Sequence, residues 1–264
     1  MRRLLPVLSF GIFMFAFLFL MLIASHPGHA ANVELVWHFD EGEGDVAKEA
    51  NGTGNDGKFT GDGAEQIKWV DGKYGKALEF SGETGGGQWV EVPHSPDMDI
   101  RDAITMEAWI FPTTIDGDKR TVITKASYYL QIEPSAQIAT YFYDVTPPGY
   151  HLSDEKVEEN EWSHVAVTYD GKEVKFYING KQDGNVVEAT GQITHRPEWG
   201  VHLGGERDGC CPRYFQGIID ELKISNFAKS EAEIQASMEA AAIETSVEPV
   251  HKLPLVWGAL KARR

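Results

Sequence analysis

Cysteine is nearly absent: the 264 residues hold two, and they are neighbours, Cys210 and Cys211. That excludes a scaffold stapled by several spaced bridges. Histidine occurs nine times, but no pair stands at H-x-H or H-E-x-x-H spacing, so zinc has no support. No G-x-S-x-G is present, which argues against a nucleophile-elbow hydrolase. "GETGGG" leads into a strand pattern, not a helix, so it reads as a turn and not a phosphate loop. Positive charge is scarce: 24 Lys and Arg face 40 Asp and Glu. That balance gives no field for nucleic acid and suits solubility.

A long apolar run occurs once, "FGIFMFAFLFLMLIA" at 10–24. Arg2 and Arg3 precede it, and "SHPGHA" follows with Gly28 and Ala30 placed for a cut after Ala30. The layout predicts a secretory signal over 1–30, hence a secreted, cell-surface or periplasmic protein. The competing reading is an uncleaved anchor, and only then would a membrane be a partner.

What remains is rich in strands and turns. Apolar residues make up 42% and Gly numbers 27. Strand patterns stand at 35–39, 76–80, 88–93, 104–112, 121–133, 137–145, 199–205 and 214–225. "NGTGNDGKF" (51–59) and the acidic "SDEKVEENE" (153–161) read as loops. Asn51-Gly52-Thr53 also fits a glycosylation acceptor, although a turn suffices. "WSHVAVTYDGKEVKFYINGKQD" (162–183) predicts a three-stranded meander, with primed turns at Asp170-Gly171 and Asn179-Gly180. "SEAE" (230–233) is a capping box, Ser230 as N-cap and Glu233 at N3, and Ile234, Met238 and Ala241 follow at helical spacing. Beyond 243 two prolines and a basic end read as linker and tail, either disordered or docking through Leu255, Val256, Trp257 and Leu260. Many short strands and one late helix give an all-β sandwich.

"WHFDEGEGDVAKEANGTGNDGKF", "GKYGKALEFSG…WVEVPHS", "ITMEAWIFP", "WSHVAVTYDGKEVKFYINGKQDG" and "FQGIIDELKISNFAKSEAEI" resemble, in that order, the LamG-like jelly-roll domains of the concanavalin A-like lectin/glucanase superfamily. The resemblance spans about 33–240. It implies a jelly-roll sandwich of two antiparallel sheets with one short C-terminal helix, over 31–243. It leaves function open, because this fold hosts lectins, adhesion modules and glycosidases.

Catalysis on this fold calls for two carboxylates about 5 Å apart, lined up as E-x-D-x-x-E on one strand. That motif is missing, so no catalytic residue is expected. In "GIIDELKIS", strict alternation puts Ile218, Asp220, Leu222 and Ile224 on one face. A carboxylate among aliphatics needs backbone donors, a basic partner or a metal ion. Asp40 ends the first strand, and first and last strands often meet. Asp40, Asp220 and Glu221 are therefore candidate ligands for a structural calcium, which the resemblance also allows. The plainer reading has Asp220 accepting hydrogen bonds from a neighbouring turn. Cys210 and Cys211 bridge only as a strained ring, since adjacent Cα atoms lie about 3.8 Å apart and ordinary bridges want roughly 4.4–6.8 Å. Free thiols or bonds to another chain are the alternatives. Tyr143, Tyr150, Trp199 and Tyr214 are candidates to stack sugar rings, against ordinary packing. The expected function is an exported, non-catalytic binding or adhesion module for a glycan or an extracellular protein. The alternatives are a divergent polysaccharide-active glycoside hydrolase and a structural surface-assembly protein.

Overall fold

The computed structural model describes residues 32–82, 87–115, 117–206 and 213–246. The expected leader, the cysteine pair and the chain beyond Ser246 lie outside the described residues. In chain order the strands are β1 (Glu34–Trp37), β2 (Val46–Ala47), β3 (Gly57–Thr60), β4 (Lys68–Asp71), β5 (Lys76–Ser81), β6 (Trp89–Val92), β7 (Ile104–Pro112) and β8 (Arg120–Lys125). Then come β9 (Tyr128–Ile132), β10 (Gln137–Phe142), β11 (His151–Lys156), β12 (Ser163–Tyr169), β13 (Glu173–Ile178), β14 (Lys181–Glu188), β15 (Val201–Leu203) and β16 (Gln216–Ser225). One helix, α1 (Glu231–Ser246), follows.

The strands form two antiparallel sheets of eight. The first runs β14-β13-β12-β7-β16-β5-β4, with β1 also on β16; the second runs β11-β10-β9-β8-β15-β6-β3-β2. Period-two alternation decides what each strand buries. Along β7, Ile104, Met106, Ala108 and Ile110 enter the core between the sheets. Thr105, Glu107 and Trp109 point the other way by the same alternation, and α1 packs on that outer face. Ile234 sits against Ala166 and Tyr177. The capping box forms as expected: Ser230 N donates to Glu233 Oε2 at 2.7 Å and Glu233 N to Ser230 Oγ at 3.4 Å.

Between α1 and the sheet lies an ionic network. Lys229 Nζ reaches Glu34 and Glu107, and Ser237 Oγ donates to Glu107 Oε1 at 2.9 Å. His164 Nε2 is 3.4 Å from Glu107 Oε2. Burial works against the Glu107 charge, but His164 and Lys229 outweigh it and hold the carboxyl down at about 2.

The structure departs from the sequence expectations at several points. The 121–133 segment is two strands, β8 and β9, because the chain turns at Ala126-Ser127. The acidic stretch is only partly loop: Ser153–Lys156 belongs to β11 and pairs with β10. The glycine-rich 51–59 stretch ends inside β3. The Asn179-Gly180 turn has both φ values positive, at 52° and 74°. At the preceding turn Asp170 pairs with Glu173, so the central residues are Gly171 (φ 86°) and Lys172, and only the glycine needs the left-handed region. Asp170 Oδ1 instead accepts from Lys172 N and Glu173 N.

The largest correction concerns Asp220. Opposite β7, Asp220 pairs with Trp109 but Lys223 already pairs with Glu107, so β16 carries one extra residue. Glu221 sits in that bulge at φ 49°. A bulge resets the alternation. Ile219, Leu222 and Ile224 therefore enter the core, while Asp220 faces away from it, beside Trp109.

Candidate functional site

The outer face of the second sheet concentrates aromatic side chains. Strands β9 and β10 alternate, so Leu130, Ile132, Ile138 and Phe142 face the core. Tyr129 and Tyr141 face outward, directly cross-strand. Their ring centroids lie 6.5 Å apart at 88°. Tyr143, one residue past β10, places its ring 4.7 Å from Tyr141 and 6.2 Å from Tyr129. Tyr150, just before β11, stands 5.2 Å from Tyr141 on the other side. Edge-to-face and tilted contacts of this kind are the arrangements aromatic rings prefer.

Cations border the rings. Lys119 Nζ lies 3.3 Å from the centre of the Tyr150 ring. The Arg196 guanidinium lies 5.3 Å from that of Tyr143. Arg213 Nη1 donates to Tyr150 Oη at 3.2 Å and to Glu206 Oε2 at 3.4 Å. Burial, with Glu206 nearby, pushes the Tyr129 hydroxyl well above its usual range, so it stays a donor near neutral pH.

Trp199 and Tyr129 help to line a hollow of about 20 Å³ with Thr124, Lys125, His202 and Glu206. That volume takes a water, not a sugar ring, so a larger ligand would have to lie across the face. Lys125 fixes this corner: Nζ donates to Trp199 O at 2.5 Å and Arg196 O at 3.1 Å. Its burial lowers the ammonium below the usual lysine range. Tyr214 fits beside Glu206 because two neighbours are glycine. A Cβ on Gly205 would lie 3.0 Å from its ring, and one on Gly87 would lie 2.7 Å from its hydroxyl.

Of the four aromatic candidates, Tyr143 and Tyr150 thus both touch Tyr141. Trp199 shares the hollow with Tyr129, and Tyr214 feels the same Glu206. Sequence reasoning missed Tyr129, Tyr141, Lys119 and Arg196. Consecutive tyrosines in "SYYLQI" carry a usable signal, because one of any two neighbours on a strand must face outward.

The candidate calcium ligands sit elsewhere, around the β4–β5 turn. Asp220, fully buried, accepts Tyr74 N at 2.9 Å on Oδ2 and Glu221 N at 2.8 Å on Oδ1. Asp40 Oδ1 accepts Lys76 N at 2.7 Å, and Glu221 Oε2 is 2.8 Å from His38 Nδ1. The turn is clasped between the two aspartates. Burial, with the charges of Glu221 and Asp40, raises the Asp220 carboxyl to about 8. Among the described residues no three His, Cys, Asp or Glu side chains converge as a metal site would require. The clasp depends on glycine: a Cβ on Gly72 would lie 2.6 Å from Asp220 Oδ2. Gly72→Ala should therefore destabilise the protein by about 1–3 kcal/mol, the usual cost of overpacking. Thermal denaturation checks this, and an unchanged melting temperature would contradict the clasp.

A Laminin_G_3 family model, described as concanavalin A-like lectin/glucanases superfamily, matches residues 84–235, more than half of the chain. Pappalysin-1 of Mus musculus is 26% identical over 197 residues, 64% of this chain. The chain spans only 11% of that relative's length. Domain 4 of AbnA, a GH43 extracellular arabinanase from Geobacillus stearothermophilus, was solved with arabinotriose. It superposes with a TM-score of 0.58 at 19% identity, over 77% of this chain and 96% of that one. Trypanosoma rangeli sialidase in complex with sialic acid gives 0.57 at 14% identity, over 81% of this chain and 34% of that one. At such identities these likenesses concern the fold.

Proposed function

We propose, for a chain that belongs to the concanavalin A-like lectin/glucanase superfamily, that the outer face of its second sheet binds a glycan. The chain would act as an exported, non-catalytic recognition module. The observation that carries this reading is the run of four outward tyrosines, Tyr129, Tyr141, Tyr143 and Tyr150, in mutual ring contact through Tyr141. Sugar rings present apolar C–H faces that stack on such aromatics while their hydroxyls need nearby polar groups. Glu206, Arg213 and His202 supply those groups. A neighbour solved with arabinotriose adds support from the same fold.

A glycan array followed by calorimetry on the best hit tests the proposal. Tyr141→Ala should weaken binding by at least tenfold, because Tyr141 contacts three other rings. A blank array, or a Tyr141→Ala variant that binds normally, sinks it. A reducing-sugar assay on the same glycans should stay flat; product release would favour the hydrolase alternative.

Calcium held by Asp40, Asp220 and Glu221 is a second proposal. Its support is the buried Asp220 carboxyl, which burial and the nearby charges of Glu221 and Asp40 raise together. Each Asp220 oxygen keeps a lone pair beyond its backbone hydrogen bond. Calcium added to chelator-treated protein should raise the melting temperature; no heat and no shift would end the idea.

A further inference from the structure

We infer that the tyrosine face selects sugars bearing a carboxylate, an inference that rests on the glycan reading above. The chain is strongly acidic, with 40 Asp and Glu against 24 Lys and Arg. Even so, it sets Lys119, Arg196 and Arg213 around one group of rings. Lys119 and Arg213 already share carboxylates, Glu133 at 2.7 Å and Glu206 at 3.4 Å.

Arg196 is different. Among the described residues no carboxylate lies within ion-pair distance of it, and its Nε is buried without a hydrogen-bond partner. Its backbone is fixed, because Arg196 O accepts from Lys125 Nζ at 3.1 Å and from Trp199 N at 3.2 Å. Its guanidinium lies over Tyr143. A surface arginine kept for solubility alone would be free to find an acid in so acidic a chain. This one is held on a ring by a clamped turn with donors to spare, which is preorganisation for an anion. A planar guanidinium fork matches a carboxylate bidentately, and arginine does this better than lysine. A uronate presents both features at once: an apolar ring face for the tyrosines and a carboxylate at the ring edge for Arg196, with Arg213 across the face beside Tyr150. The overall negative charge of the protein would oppose a long polyanion, so a short oligomer is the fitting ligand.

Calorimetry with tetragalacturonate and its fully methyl-esterified form tests this, since the two share rings and differ in charge. The acid form should bind at least tenfold more tightly, and raising NaCl from about 50 to 500 mM should weaken that form alone, as screening demands. Arg196→Gln should abolish the preference, bringing the acid form's affinity down to that of the ester measured on the same variant. Tyr141→Ala should weaken both forms alike. Arg213→Gln serves as a second variant, with melting temperatures recorded for each, in case loss of Arg196 disturbs its turn. Equal affinity for acid and ester overturns the inference and leaves the glycan reading intact. A preference that survives in both arginine variants overturns it too. No heat with either form, nor with neutral oligosaccharides from the array, overturns both.

Discussion

Lys229→Met should destabilise the protein by about 3–5 kcal/mol, the usual result of stranding one member of a buried ion pair. The melting temperature should fall by roughly 10 °C for a domain of this size. Lys229 is 7% exposed and Glu107 is fully buried, and the lysine is the formal positive charge within reach of both Glu107 and Glu34. Without it Glu107 keeps Ser237, His164 and the more distant charge of Lys223. The pH dependence follows from the direction of the shift. The Glu107 carboxyl is held at about 2 in the folded protein against an ordinary 4.5. Its contribution, about 3 kcal/mol for that difference, is complete above pH 4.5 and fades as the pH falls toward 2. Lys229→Met should therefore raise the pH at which acid unfolding begins. Glu107→Gln combined with Lys229→Met should recover much of the loss, because it buries a neutral pair. A single variant within 2 °C of the wild type would show that α1 is held by Ile234 and its neighbours alone.

That network was only half legible from sequence. Ser230 and Glu233 announce the helix start through local chemistry, and the helix begins there. Nothing local in "TMEAW" says that Glu107 meets Lys229, because 122 residues separate them and only the order of strands in the sheet joins them. Asp220 failed for a different reason. Strict alternation puts it among Ile218, Leu222 and Ile224, but a single extra residue at Glu221 inverts the phase. A glutamate carries no left-handed signature of the kind that marks Asn179-Gly180 or Gly171. The aromatic face lies between these cases. Tyr143 and Tyr150 could be named as candidates, whereas Tyr129 and Tyr141 reveal themselves only once β9 and β10 are seen to pair.

Asp183→Ala should cost about 2–4 kcal/mol and loosen β11 selectively. Asp183, 2% exposed, stands where the β13–β14 register shifts between Gln182 and Val186. Its Oδ1 accepts Asp154 N at 2.9 Å and Asn185 N at 2.9 Å, and Oδ2 accepts Glu155 N at 2.7 Å. One carboxylate thus ties an edge strand of the first sheet to an edge strand of the second and closes that side of the sandwich. Hydrogen bonds to a charged acceptor are each worth about 1.5–3 kcal/mol, but Asp154 and Glu155 are exposed enough for water to replace part of the loss. Asp183→Asn keeps one oxygen acceptor and turns the amide NH2 toward another donor, so it should lose about half as much. Hydrogen exchange gives the decisive readout: the Asp154 and Glu155 amides should exchange far faster in the alanine variant, while those of β7 and β12 keep their protection. Because β11 follows directly from Tyr150, the same variant should also weaken glycan binding without touching any ring. Unchanged exchange at those two amides would mean that the edge is held by Asn185, whose Nδ2 donates to Leu152 O at 2.7 Å, and not by the carboxylate.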